Sequence, residues 1–142
     1  MRLIQIGDND SISLTQDLVG DDEIPSYAIL SHTWQESQEA TFDDVVRCSG
    51  DGKAGWNKIY FSAREAAKDG LRHIWVDTCC INKADAIEVQ DAINSMFRWY
   101  RGAAICYVFL SDVKLVGATA RNNTLARAWE PAFRKSRWFS RG

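Results

Sequence analysis

Three short apolar runs constrain the fold of this chain more than any other feature of its sequence. The runs are too short for buried helices and are rich in β-branched and aromatic residues, which favours strands covered on both faces. They span Tyr27–Leu30, His73–Asp77 and Ala103–Leu110. Segments with helical spacing of apolar residues separate the runs, as the crossovers of a parallel sheet require. We therefore predict an α/β fold with an open, mainly parallel sheet and helices on both faces.

The segments between the runs carry the signals of amphipathic helices. One helix is predicted from Trp56 to Gly70, and another lies between the second and third apolar runs. Their apolar faces are predicted from residues that recur at helical spacing, namely Ile59, Tyr60, Ala63 and Ala67 in the first and Val89, Ile93, Met96, Phe97 and Tyr100 in the second. Thr41 followed by Asp44 is the signature of a further helix start.

The 142 residues are predicted to form one domain, which is long enough to bury a core without disulfides or metals. Residues 1–24 are expected to be an N-terminal strand and loop of the same domain, and residues 25–142 contain the remainder. A tail from Thr124 to Arg137 has a helical pattern. Apolar residues make up 46% of the chain and charged residues 25%, the balance of a folded globular protein.

Composition excludes several classes of function. The net charge is −2, and basic residues are spread along most of the chain, so we expect no nucleic-acid partner. Near the C-terminus the basic residues cluster at Arg127, Arg134, Lys135, Arg137 and Arg141. This cluster is interpreted either as a phosphate or anionic-lipid site or as a solvated helix face. No apolar run approaches the roughly 20 residues of a membrane span. A cytoplasmic location and four free cysteine thiols are expected.

Polar side chains follow each of the three predicted strands at the point where the strand ends. The carboxyl ends of parallel strands meet at one edge of a sheet, which is where ligands bind in open α/β folds. The residues brought to this edge are Ser31, His32 and Trp34 from the first strand, Asp77, Cys79, Cys80 and Asn82 from the second, and Ser111 and Asp112 from the third. This edge is the predicted functional site.

Several of these residues have a structural explanation as well as a functional one. Asn82 suits the N-cap of the following helix, and Glu88 suits an exposed first-turn acid. Trp34 is either a core residue or a stacking platform for a ligand. A thiol nucleophile with His32 as its base is a weaker alternative because no nucleophile elbow surrounds the cysteines. Adjacent cysteines are not a usual zinc-chelating pair, so no metal site is predicted.

Successive segments of the chain resemble the blocks of the fungal heterokaryon incompatibility (HET) domain. The order and spacing of the blocks match over about residues 25–142. The blocks are Tyr27 to Trp34, which ends in Ser-His-Thr-Trp; Trp75 to Lys83, which contains Trp-Val-Asp-Thr-Cys-Cys-Ile-Asn; Glu88; Ile93 to Phe97; Trp99-Tyr100; and Ala103 with Cys106 to Leu110. Several blocks in the correct order are specific, whereas one alone is weak evidence.

The resemblance implies a TIR-like, flavodoxin-like fold and a module of self/non-self recognition and programmed cell death. TIR-type domains either self-associate as adaptors or cleave NAD between nicotinamide and ribose. The resemblance therefore implies NAD as a candidate substrate, with no cofactor, and a non-catalytic signalling module acting by self-association or partner binding as the alternative. In the family, the residues that correspond to Trp138-Phe139 and Arg141-Gly142 lead into a W-T-L-Q-E-L-type segment. Its glutamate is the expected main acid, so we expect this chain alone to be inactive.

Within the chain, the carboxylates expected to contribute to catalysis are Asp77 and Glu88. The residues expected to bind a ligand are Ser31, His32, Trp34, Cys80, Asn82 and Asp112. Among the carboxylates, Asp77 is the best placed to stabilise positive charge that develops at a sugar carbon, much as glycosidase carboxylates do.

Overall fold

A computed structural model describes residues 1–9, 11–50, 52–113 and 129–140 of the chain. The strands are β1 (Ile4–Ile6), β2 (Ile12–Leu14), β3 (Ala28–His32), β4 (His73–Trp75) and β5 (Ile105–Phe109). The α-helices are α1 (Phe42–Val46), α2 (Gly55–Lys68), α3 (Ala86–Gly102) and α4 (Glu130–Arg134), and short 3₁₀ helices lie at Asp21–Glu23 and Arg137–Ser140. Among these described residues, no helix is long and apolar enough to cross a bilayer.

The five strands form one sheet in the order β2-β1-β4-β3-β5. The central strand β3 pairs in parallel with β4 on one side and with β5 on the other. The N-terminal hairpin adds β1 and β2 in antiparallel orientation beside β4. The predicted open, mainly parallel sheet is confirmed, and its three parallel strands have the order second, first, third that begins the flavodoxin-like arrangement.

Helices α2 and α3 cover opposite faces of the sheet. On one face, the ring of Trp75 lies 5.5 Å from that of Trp99 in α3. On the other, Phe61 of α2 lies 5.3 Å from Phe109 of β5. Side chains alternate between faces along a strand, so these contacts identify the α3 face and the α2 face. The predicted two-sided covering of the sheet is confirmed.

The buried face of α2 differs from the predicted one. Ile59 and Ala63 are buried as expected, but Tyr60 and Ala67 face solvent. Their predicted places are taken by the polar residues Lys58 and Ser62, both of which are buried. The predicted face was wrong in part because it was read from apolar residues alone. Lys58 can be buried because its ammonium group has hydrogen-bond partners inside the protein.

Helix α3 also departs from its predicted pattern. Val89, Met96 and Tyr100 pack against the core, but Ile93 and Phe97 are exposed. Asp85 is the N-cap and accepts from the backbone N–H groups of Ile87 and Glu88, so the helix begins one turn later than a cap at Asn82 requires. Asp85 is the more favourable N-cap because its carboxylate accepts hydrogen bonds from two N–H groups at the positive end of the helix dipole.

The C-terminal tail forms a shorter helix than its sequence pattern indicates. Within the described residues the helix spans Glu130–Arg134, with Pro131 in its first turn, where proline is well tolerated. The remainder of the predicted helix, residues 124–128, lies outside the described residues. Of the predicted basic cluster, Arg134 bonds to Glu130 at 2.7 Å, as a solvated helix residue would.

Glycine at position 55 allows α2 to begin against the loop that precedes α1. The Gly55 N–H donates to the Gln38 carbonyl at 2.7 Å. A Cβ atom here would lie 2.8 Å from that carbonyl oxygen, in contact with backbone that cannot rotate away. We expect Gly55→Ala to lower the free energy of unfolding by about 1–3 kcal/mol and the melting temperature by several degrees.

The matched control is Gly52→Ala, because a Cβ atom at Gly52 meets nothing within 4 Å. Thermal unfolding followed by circular dichroism measures both variants. Equal melting temperatures for the two would contradict the packing described here.

Candidate functional site

Two side chains that follow or end β3 meet at one carboxylate that follows β4. The Asp77 Oδ1 atom lies 2.9 Å from His32 Nε2, and its Oδ2 atom accepts from the Trp34 indole N–H at 3.0 Å. Parallel pairing of β3 with β4 brings the two strand ends together, as the sequence predicts. His32 is buried, and Asp77 is largely buried. Both oxygens of the carboxylate are therefore occupied by donors from this chain.

The other side of His32 contacts a buried ammonium group. Lys58, which is only 2% exposed, reaches from α2 to within 3.3 Å of His32 Nδ1. The same ammonium donates to the Thr33 carbonyl at 2.8 Å and to the Glu39 carboxylate. Glu39 in turn accepts from the Gln35 backbone N–H at 2.7 Å. An ammonium has three N–H donors, and each of these donors has an acceptor here.

His32 joins the two halves of this cluster. Its Nε2 atom faces Asp77, and its Nδ1 atom faces the Lys58 ammonium at 3.3 Å and the Glu39 carboxylate at 3.8 Å. An ammonium is a donor only, so a hydrogen bond between Lys58 and His32 requires Nδ1 to accept. The Lys58–Glu39 ion pair was not predicted, because the apolar pattern of α2 gives no signal for a buried cation.

Trp34 joins this cluster through its indole N–H, while much of its ring is exposed. Its indole N–H is held by Asp77, yet the residue is 54% exposed. The Lys83 ammonium lies 4.0 Å from the ring centroid, a cation–π contact that sequence analysis did not predict. The ammonium therefore lies over one face of the half-exposed indole, at the carboxyl end of the parallel strands. Trp75, by contrast, is fully buried in the core.

The cysteines after β4 lie inside a tight turn and not at the site surface. The Cys80 thiol accepts from the Val76 backbone N–H at 3.3 Å, and the Cys79 thiol is directed at the Val76 carbonyl. Both residues are buried. The neighbouring Cys80 thiol and burial together raise the pKa of Cys79 well above its usual value. A thiol held protonated in this way is not an activated nucleophile.

Glu88 and Asn82 lie in a second cluster, away from His32. The Glu88 carboxylate pairs with Arg2 at 2.5 Å and accepts from the Asn82 backbone N–H at 2.9 Å. This raises the pKa of Arg2, chiefly through the hydrogen bond to Glu88. The Asn82 side chain accepts from the Ala84 N–H at 3.1 Å and so shapes the turn before α3. These contacts tie the N-terminal strand to the start of α3.

The remaining predicted residues, Ser31 and Asp112, contact the C-terminal segment. The Trp138 indole N–H donates to the Ser31 hydroxyl at 3.1 Å. Asp112 accepts from the Ser136 hydroxyl at 2.8 Å and from the Arg137 backbone N–H at 2.7 Å. The Arg137 N–H is the largest cause of the lowered pKa of Asp112. Residues 136–140 therefore lie over the carboxyl ends of β3 and β5.

The predicted site thus divides into four parts. The structure brings together His32, Trp34 and Asp77, and it adds Lys58, Glu39 and Lys83 to them. It places Glu88 with Asn82 at the start of α3, Ser31 with Asp112 beneath the C-terminal segment, and Cys80 within the turn after β4. Over the described part of the chain, no three His, Cys, Asp or Glu side chains are arranged to hold a metal ion.

Asp77 should contribute to stability through its two hydrogen bonds. An asparagine has one oxygen acceptor, and its amide N–H group would face the second donor without a partner. We expect Asp77→Asn to lower the free energy of unfolding by about 1–3 kcal/mol and the melting temperature by several degrees. The exposed Asp22 supplies the control, Asp22→Asn. A shift below about 2 °C for Asp77→Asn would argue that the carboxylate is not a structural acceptor.

The four cysteines are free, but they differ in accessibility: Cys48 and Cys106 are exposed, whereas Cys79 and Cys80 are buried. Thiol titration without reductant should therefore detect two groups in the folded protein and four after denaturation, because reaction requires an accessible thiolate. Four rapidly reacting groups in the folded protein would contradict the buried turn. Only two after denaturation would reveal a disulfide.

Comparison with known proteins identifies the family of this chain. Residues 27–138 match the family described as heterokaryon incompatibility protein (HET). The chain is 47% identical over 143 residues to the vegetative incompatibility protein HET-E-1 of Podospora anserina, an alignment that covers 100% of this chain and 10% of that protein. No solved structure is significantly similar to the chain. The resemblance read from the sequence blocks is confirmed, and the chain belongs to the heterokaryon incompatibility (HET) family.

Proposed function

We propose that this chain is a recognition and signalling module of vegetative incompatibility, a fungal self/non-self response that ends in programmed cell death, and that it acts through protein contacts. Membership of the HET family and identity with a vegetative incompatibility protein support the first part. The chain spans one tenth of the length of that relative.

The state of the carboxylates supports action by contact rather than by catalysis. A carboxylate that stabilises charge on a sugar needs an oxygen that faces the ligand. Both oxygens of Asp77 accept from His32 and Trp34, and Asp112 accepts from the C-terminal segment. Glu88 is paired with Arg2. Each of these three carboxylates therefore has partners within the chain, which favours a structural role for it.

A second candidate is NAD cleavage by a longer form of the protein. The half-exposed Trp34 with the Lys83 ammonium over its ring supports this candidate, because nucleotides bind outside the carboxyl ends of parallel strands. A ring of NAD would stack on the indole in place of the ammonium, which would move to the phosphates. The main acid would come from the glutamate segment that the family resemblance implies.

Two measurements on the same protein separate these candidates. We expect the purified 142-residue chain to release no nicotinamide from NAD above background, because removing a charge-stabilising group typically costs about 10²–10³ in rate. We expect its expression in one of two fusing fungal strains to reduce the recovery of viable heterokaryons. Lys58→Met, which leaves Glu39 without its buried cation, supplies a strongly destabilised control for both measurements.

Turnover of NAD by the 142-residue chain would contradict the contact mechanism and direct attention to Asp77, Glu88 and Asp112. Turnover only by a form extended through the glutamate segment would favour the second candidate. Normal recovery of heterokaryons with a folded, well-expressed chain would contradict the incompatibility role itself.

A further inference from the structure

Ser136 connects the C-terminal segment, residues 136–140, to the residues that follow β5. Its hydroxyl donates to the Asp112 carboxylate at 2.8 Å and accepts from the Trp138 backbone N–H at 3.2 Å. The residue is only 4% exposed. The Arg137 N–H bonds to the same carboxylate, and the Trp138 indole bonds to the Ser31 hydroxyl. Ser136 therefore lies among the hydrogen bonds that hold the segment over the carboxyl ends of β3 and β5.

Basic side chains flank Ser136 on both sides. Arg134 and Lys135 precede it, Arg137 follows it, and all three are exposed. Arg134 pairs with Glu130, but an exposed ion pair contributes little and is readily exchanged for another acidic partner. Arginine-directed protein kinases recognise a serine through flanking positive charge of this kind. The basic cluster is therefore centred on a hydroxyl that has the sequence context of a kinase substrate.

We propose that Ser136 is a phosphorylation site for an arginine-directed protein kinase and that its phosphate releases the C-terminal segment from the sheet edge. In the transfer step, the Ser136 hydroxyl oxygen bonds to the γ-phosphorus of ATP. The bond from that phosphorus to the oxygen bridging it to the β-phosphorus breaks, and ADP leaves. The hydroxyl proton passes to the catalytic aspartate of the kinase.

The kinase reaches Ser136 only when the C-terminal segment is open. In-line transfer needs the hydroxyl beside the γ-phosphate of ATP, which the buried position of Ser136 does not allow. Hydrogen bonds from Ser136, Arg137 and Trp138 hold the segment in place. A segment held in this way opens locally at a lower free energy than the whole domain. Phosphorylation therefore captures the open form.

The phosphate cannot return to the position of the hydroxyl. The Asp112 carboxylate lies 2.8 Å from Ser136 Oγ, and a phosphate brings up to two negative charges to this point at neutral pH. The ester oxygen also has no proton to donate to Asp112. The flanking basic side chains are exposed, so they can pair with the phosphate in the open form. Release uncovers Ser31 and the ends of β3 and β5, whether the domain acts by contact or by NAD cleavage.

Phosphorylation of the 142-residue chain in solution tests the site. The chain carries Ser140→Ala, because Ser140 lies three residues after Arg137 and has a basic context of its own. It is incubated with ATP and the catalytic fragment of protein kinase C, and the modified residues are mapped by mass spectrometry. We expect phosphate at Ser136, and about tenfold less there with casein kinase, which selects acidic contexts. Equal modification by the two kinases would overturn recognition through the basic cluster.

A peptide of residues 131–140 with the same Ser140→Ala change separates recognition from access. Modification of both the peptide and the chain at Ser136 supports the proposal. Absence of phosphate from Ser136 in the peptide would overturn the assignment of the site. Modification of the peptide but not of the chain would show that the segment stays closed, and this outcome would also overturn the proposal.

Solvent exchange of the Trp138 indole N–H, measured by NMR, tests the release. Its resonance is the one lost in Trp138→Phe, and the buried Trp75 indole is the internal control. We expect exchange of the Trp138 N–H to be about tenfold or more faster in the phosphorylated chain than in Ser136→Ala, which loses the hydroxyl but gains no charge. The Trp75 N–H should not change. Equal exchange of the Trp138 N–H in these two proteins would overturn the release.

A charge variant identifies the cause of the release. Asp112→Asn removes the carboxylate that faces the phosphate and supplies an amide that can donate to it. In the phosphorylated chain we expect this variant to bring exchange of the Trp138 N–H to within about threefold of the same variant without phosphate. Exchange that stays fast in phosphorylated Asp112→Asn would overturn repulsion by Asp112 as the cause.

Discussion

A buried ammonium group imposes the strongest physical constraint on this structure. Removing a charge from water costs several kcal/mol unless its donors are all satisfied and its charge is balanced. Lys58 meets both conditions only when Glu39, the Thr33 carbonyl and His32 lie around it. Two of these partners follow β3 closely and the third ends it, so the ion pair fixes where α2 lies on the sheet. The close backbone contact between Gly55 and Gln38 also holds the start of α2 in this position.

The constraint extends from Lys58 through one imidazole to the second strand end. His32 contacts Lys58 through one ring nitrogen and Asp77 through the other, so the position of Lys58 also constrains that of Asp77. Asp77 in turn accepts from the Trp34 indole N–H. The Ser-His-Thr-Trp block and the Trp-Val-Asp block of the family therefore meet in one hydrogen-bonded network. These hydrogen bonds give His32, Trp34 and Asp77 a structural role.

The sequence pattern predicts some of this arrangement and misses the rest for identifiable reasons. Buried parallel strands are apolar on both faces, so the three runs are readily recognised, and the meeting of His32 with Asp77 follows from parallel pairing. Burial of Lys58 depends on partners from another segment, which periodicity does not detect. In α3 the apolar residues cover two faces, and the repeat alone does not say that Phe97 points outward. The choice of N-cap depends on local backbone geometry.

The bond between Trp138 and Ser31 joins residues that are 107 positions apart in the chain. Closing so long a loop costs entropy that only contacts already in place can offset. The C-terminal segment therefore docks after β3 and β5 have paired, and its release uncovers this edge without unfolding the sheet. Amide hydrogens in residues 136–140 should exchange with solvent long before those of β3, so the polar edge is uncovered on a shorter timescale than global unfolding.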